Sequence, residues 1–201
     1  GMPAGMITRS LGLGGPDVGL IGFGAWGLGG TEGGSVAYGP VDDAVSIRAL
    51  QCAFDLGISF VDSSDLYGFG HSETVIGRAM SGRRDKLILA SKAGFIDASG
   101  LQDFSEAHLR RALDASLTRL GTDYLDLFQL HSPTLALWRE RRDELLGLMA
   151  SLRDAGKIRS FGVSLQRTED GLEIALSRGL ATLQLNLNLL DVRAKASGLL
   201  R

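Results

Sequence analysis

Six short apolar runs, each separated from the next by a stretch with helical spacing, constrain this chain more than any other feature. The runs end near residues 24, 62, 92, 131, 164 and 186, roughly one strand–helix unit per step. Strands this apolar are buried on both faces. Alternating with helices, they form a parallel sheet covered by helices. An open doubly wound sheet and a closed barrel both satisfy the pattern. Either way, polar residues at the carboxyl ends of such strands are where a parallel α/β protein builds its site.

Period and punctuation place the elements. A Gly-rich lead-in, Ile7–Gly15, has the makings of a hairpin and precedes a first strand, Val18–Phe23. A helix follows over Asp42–Leu56, with Asp42 placed to cap it and Gly57 to end it. Next come a strand Ile58–Asp62, a helix Ser72–Met80 and a strand Lys86–Ser91. The helix Ser105–Leu120 shows Leu109, Ala112, Leu113, Ser116, Leu117 and Leu120 on one face. Strand Tyr124–Leu130, helix Asp143–Ala155, strand Ile158–Ser164, helix Thr168–Ser177 and strand Thr182–Leu189 complete the repeat.

Composition narrows the function. With 44% hydrophobic residues, 22% charged and a net charge of −2, the 201 residues suit one sizeable core. The charge balance argues against nucleic-acid or anionic-membrane partners. No apolar run approaches the ~20 residues of a membrane helix, and no secretory signal is expected. Cys52 is the single cysteine, which suits a reduced, cytoplasmic protein without disulfides. Gly1, ahead of Met2, reads as a remnant of expression. His71 reads as a loop-positioning residue that caps the next helix, and His108 as an exposed residue in a first helical turn. No two histidines lie at metal-ligand spacing, so no metal site is expected.

Gly22-Phe-Gly24-Ala-Trp-Gly27 matches a dinucleotide fingerprint and follows a strand. In that motif the glycines open directly into a helix whose N-terminus holds the pyrophosphate. Here Leu28–Asp42 carries five glycines and a proline, so no helix starts before about Asp42. Asp62 lies 35 residues beyond Gly27, against a ribose-binding acid at ~20. The match is a decoy.

A different constellation carries chemistry. Asp62, Tyr67, Lys92 and His131 all fall at or just after the carboxyl ends of three successive strands. A buried ammonium needs a partner, and Asp62 is a natural one for Lys92. Lys92 beside Tyr67 is expected to lower the phenol pKa. His131 can hydrogen-bond a carbonyl oxygen or relay a proton. Such a tyrosine can protonate a carbonyl oxygen while hydride reaches its carbon. Side chains supply no hydride, so the centre implies a nicotinamide cofactor. Taken singly, Asp62–Lys92 reads equally as a structural ion pair, Tyr67 as a turn aromatic and His131 as a strand cap.

At these residues the chain resembles the aldo-keto reductase family. The resemblance rests on Phe60-Val-Asp62-Ser-Ser-Asp-Leu-Tyr67-Gly68 with Gly70-His-Ser-Glu73, and on Ser91-Lys92-Ala-Gly94. It extends through Ser116 to His131 and through Lys157-Ile-Arg-Ser-Phe-Gly-Val-Ser164, covering Leu11 to Leu190 in order. It implies a (β/α)8 TIM barrel, about six of whose eight units fall within residues 1–201. It also implies NADP(H)-dependent reduction of a small-molecule aldehyde or ketone. Tyr67 would be the general acid, Lys92 and Asp62 its tuning pair and His131 the carbonyl orienter. Ser164, Gln184, Asp62 and Trp26 would contact the cofactor.

Two departures stand out. Leu165 replaces a common Asn, removing one carboxamide contact. The last two units, with an aromatic platform and the 2′-phosphate clamp, are expected to be missing, as in a fragment of a longer enzyme. Substrate, oligomeric state and NADP against NAD are not legible. Competing functions are a non-catalytic NADP-binding subunit, like potassium-channel β subunits, an inert truncated reductase, and a Schiff-base aldolase using Lys92. His131, where those β subunits carry asparagine, favours a reductase over the first. Asp62 and Tyr67 beside Lys92 disfavour the last.

Overall fold

The structure is a computed structural model that describes residues 8–10, 17–19, 23–24, 42–165, 171–175 and 182–185. A two-stranded antiparallel hairpin, β1 (Thr8–Ser10) with β2 (Asp17–Gly19), stands apart from the main sheet. The main sheet holds six parallel strands: β3 (Phe23–Gly24), β4 (Phe60–Asp62), β5 (Ile88–Ala93), β6 (Leu125–His131), β7 (Ile158–Leu165) and β8 (Thr182–Leu185). They lie side by side in chain order, β3 through β8. A doubly wound sheet reverses its order at a switch point, whereas a barrel wall does not, so this is barrel topology.

Helices α1 (Asp43–Asp55), α2 (His71–Ala79), α3 (Glu106–Leu120), α4 (Leu135–Asp154) and α5 (Gly171–Ala175) connect the strands. Asp42 caps α1 through Ala44 and Val45 N–H groups, as its position predicts. All six residues of the expected α3 face are buried, and Gly121 ends that helix in the left-handed region at φ 64°. All seven residues of β6 are buried, which the repeat pattern implies for a central parallel strand. No helix among the described residues is long and apolar enough to cross a membrane.

Several boundaries differ from expectation. The apolar run Val18–Phe23 pairs at its two ends with different partners, its middle lying outside the described residues. Asp17–Gly19 pairs with Thr8–Ser10, and Phe23–Gly24 joins the barrel wall beside β4. A continuous apolar run does not reveal where a strand changes partner. Helix α4 starts at Leu135, eight residues before Asp143, because Thr134 caps it by accepting from Leu137 N–H. Lys86 belongs to a 3₁₀ turn, Arg84–Lys86, and β5 runs on past Ser91 to Ala93. The expected Thr168–Ser177 helix and Thr182–Leu189 strand extend outside the described residues.

At the amino end of the barrel wall, Asp126 accepts the N–H of Leu89 and pairs with Arg84 at 2.8 Å. Two guanidiniums stack on the Tyr124 ring, Arg84 at 3.9 Å and Arg159 at 4.2 Å from its centroid. This end is stapled by interactions that satisfy one another, and the opposite end carries the polar residues singled out above.

Candidate active site

The segment after β4 continues the ladder with β5 beyond the last strand residue. Ser63 N–H donates to Ala90 O at 2.9 Å, and Asp65 N–H donates to Lys92 O at 3.1 Å. The chain then turns through a 3₁₀ segment, Tyr67–Gly70, into α2. Gly70 adopts φ +91°, and a Cβ there would fall 2.6 Å from Nε of Arg119. Behind this turn the fully buried Glu73 accepts from Ser91 Oγ at 2.5 Å and from Arg119 Nε at 2.8 Å. One carboxylate thus fastens α2, β5 and α3 beneath the loop that carries Tyr67.

Lys92 is not beyond its strand but within it, and it is 2% exposed. Its Nζ donates to Asp62 Oδ1 at 2.8 Å and to the Ser63 carbonyl at 2.7 Å. The same Nζ lies 5.4 Å from the Tyr67 ring centroid. The His131 ring, at the end of β6, stands edge-on to Tyr67 with centroids 6.4 Å apart. Asp62, Tyr67, Lys92 and His131 therefore share one end of the sheet, as their strand-end positions predict.

The protonation of Tyr67 departs from expectation. Its phenol is pushed up to about 12, first by burial and second by the negative charge of Asp62. The lowering expected from Lys92 does not occur. The ammonium is bound to Asp62 and to a carbonyl, and Asp62 sets its own field against the tyrosinate. Tyr67 is thus a proton holder at neutral pH. His131 is driven down to about 3 by burial and then by Lys92, so it is a neutral imidazole. Burial, and next Glu73, raise Asp65 to about 7.

Phe95 packs edge-on against His131, with centroids 4.7 Å apart. Gln102 donates through Nε2 to the carbonyls of His131 at 3.0 Å and Ser132 at 2.9 Å. That bracket holds Ser132, a non-glycine residue at φ 55°. Sequence reasoning passes over Phe95 and Gln102, which lie in a loop with no periodic signal. It quotes Ser64 and Asp65 within a motif without giving them a role.

Ser164 lies beside His131 across β6 and β7, and Gln184 lies beside Ser164 across β7 and β8. Both expected carboxamide contacts thus occupy one level of the sheet, next to His131. Ser164 is buried, with 9% exposure. Leu165, in place of asparagine, is also buried and ends β7. Trp26 lies outside the described residues. His71 does not cap α2, where Gly70 takes that position; its Nε2 lies 2.7 Å from Asp43 on α1. His108 is half-buried rather than exposed.

Asp62, Tyr67, Lys92 and His131 form one polar cluster at the carboxyl edge of a parallel α/β-barrel wall. The family model for the aldo/keto reductase family matches residues 20–201, and the chain belongs to that family. It is 41% identical over 149 residues to the aldo-keto reductase YhdN of Bacillus subtilis, covering 72% of this chain and 42% of that protein. The holo structure of aldo-keto reductase AKR11C1 from Bacillus halodurans superposes with a TM-score of 0.81 at 32% identity, over 95% of this chain and 61% of that one. An aldo/keto reductase from Klebsiella pneumoniae, solved with NADP and acetate, gives 0.75 at 29% identity, over 96% and 62%. The fold is thus that of the family's TIM barrel. The chain spans about half the length of the curated relatives it matches.

Proposed function

We propose that this protein reduces aldehyde or ketone carbonyls of small molecules to alcohols with NADPH, with Tyr67 as proton donor. In this reading residues 1–201 belong to one barrel domain, and the protein works in the cytoplasm. The observation that carries it is Lys92, an almost fully buried ammonium bound to Asp62 and Ser63 O directly behind the Tyr67 ring. Its charge is met in the resting site by Asp62, and it stands within reach of any further negative charge that develops on the tyrosine. Tyr67 becomes negative when it gives up its proton.

The residues present suit a nicotinamide. Ser164 and Gln184 lie at the level of His131, where they could hold a carboxamide, while Asp62 and Trp26 complete the proposed contacts. When bound, that group supplies the hydride. The chain's own residues do the rest. A carbonyl oxygen between the Tyr67 and His131 rings meets a protonated phenol, which can donate, and a neutral imidazole, which donates when its Nε2 carries the proton. Because the phenol is weakly acidic, proton transfer waits until charge builds on the oxygen. The Lys92–Asp62 pair then faces the phenolate.

Calorimetric titration with NADPH tests the cofactor part, and NADPH oxidation with a panel of aldehydes and ketones tests the reaction. Micromolar binding together with turnover that Tyr67→Phe lowers by ~10²-fold or more is expected. Turnover unaffected by Tyr67→Phe would remove the tyrosine as acid.

A further inference from the structure

Which nitrogen of a neutral His131 carries the proton decides whether the ring donates to a substrate oxygen or can only accept. Its Nδ1 lies 3.2 Å from the hydroxyl of Ser64, a fully buried residue between β4 and Tyr67. One lone pair of that hydroxyl already accepts the N–H of Leu66 at 3.1 Å. Its single proton has two acceptors in reach, Nδ1 of His131 and the side chain of the adjacent Asp65.

These two acceptors compete. A protonated Asp65 is a weak acceptor, so the hydroxyl proton turns to Nδ1 and the ring proton sits on Nε2. An ionised Asp65 draws the hydroxyl proton to itself, and Ser64 Oγ then accepts from an Nδ1–H, leaving Nε2 bare. Asp65 is well placed to be the controlling group, since its Oδ1 is buried without a hydrogen-bond partner.

We propose that Ser64 is a positioning residue that sets the tautomer of His131, and that protonation of Asp65 switches it. The functional meaning rests on His131 donating to the carbonyl oxygen, as in the function proposed above. Asp65 faces Glu73 on α2 and Arg119 on α3, and His131 faces Lys92 on β5 and the Tyr67 ring. With Asp65 raised to about 7, the exchange falls in the physiological range.

The test is two-bond ¹H–¹⁵N correlation spectroscopy of the protein labelled with ¹⁵N-histidine. The three histidines are assigned through His71→Gln and His108→Gln. At pH about 6, His131 is expected as the Nε2–H tautomer, giving way to Nδ1–H with a midpoint near 7. Asp65→Asn should hold the Nε2–H pattern throughout, and Ser64→Ala should abolish the pH course. In Ser64→Ala, kcat should fall about tenfold with NADPH affinity unchanged. A Ser64→Ala protein with the wild-type pH course, or a wild type already Nδ1–H at pH about 6, overturns the assignment. The expected spectra in a protein that reduces no carbonyl would support the Ser64 assignment and overturn the proposed function instead.

Discussion

Replacing Asp65 with Asn removes a carboxyl that burial and Glu73 raise from 3.8 to about 7. An acid raised by folding favours the folded state only while protonated. Its ionisation therefore costs stability from the unfolded pKa upward, and the loss is complete above the folded pKa. Each pH unit between those limits is worth 1.36 kcal/mol, so the full span comes to about 4 kcal/mol, of which about 3 falls between pH 5 and 8. Part of Asp65 touches solvent although its Oδ1 is shielded, so about 1.5–3 kcal/mol is the working range over that window. Asn cannot ionise. Asp65→Asn should therefore gain that much relative to wild type on going from pH 5 to pH 8, roughly 3–12 °C in Tm for a chain of this size. Paired urea and thermal unfolding curves at the two pH values measure it. An equal difference at both would mean that Asp65 is ionised and solvated in the fold, and would refute the reasoning behind its raised pKa.

Three further outcomes are expected. Lys92→Met should cost about 3–5 kcal/mol, because it leaves the Asp62 carboxylate in a largely enclosed site without its ammonium; a loss under about 1 kcal/mol in urea unfolding would show that Asp62 is solvated enough to stand alone. Gly70→Ala forces a Cβ into the Arg119 guanidinium at φ +91° and should destabilise by about 1–3 kcal/mol. It should also slow NADPH oxidation by displacing the Tyr67 turn, and wild-type stability would show that the turn relaxes freely. Gln184→Ala should weaken NADPH binding in calorimetry, and an unchanged Kd would remove it from the cofactor site.

Much of the barrel was legible because burial writes itself into residue type. Strand β6 is a buried run, and the Leu109–Leu120 stripe of α3 shows the 3.6-residue period of a helix packed on a sheet. Asp62, Lys92 and His131 were legible for the opposite reason. A charged or titratable residue in or at the end of an apolar strand is costly, so its presence asks for a function. Helix α4 was misplaced although Thr134 offered a capping signal, because the charged run Arg139–Glu144 separates its buried Trp138 from Leu145 and interrupts the apolar period.

The amino-acid sequence by itself determined the repeat of strand and helix, the end of the sheet that carries the polar groups, and which four side chains meet there. These follow from local periodicity and from the cost of burying charge. Only the tertiary structure decided the strand order that separates a barrel wall from a doubly wound sheet, since strand neighbours are chosen by contacts between distant segments. It alone decided the protonation of the site as well. Whether Lys92 lowers the Tyr67 pKa, or burial and Asp62 raise it, depends on distances and on lost solvent that no spacing along the chain encodes.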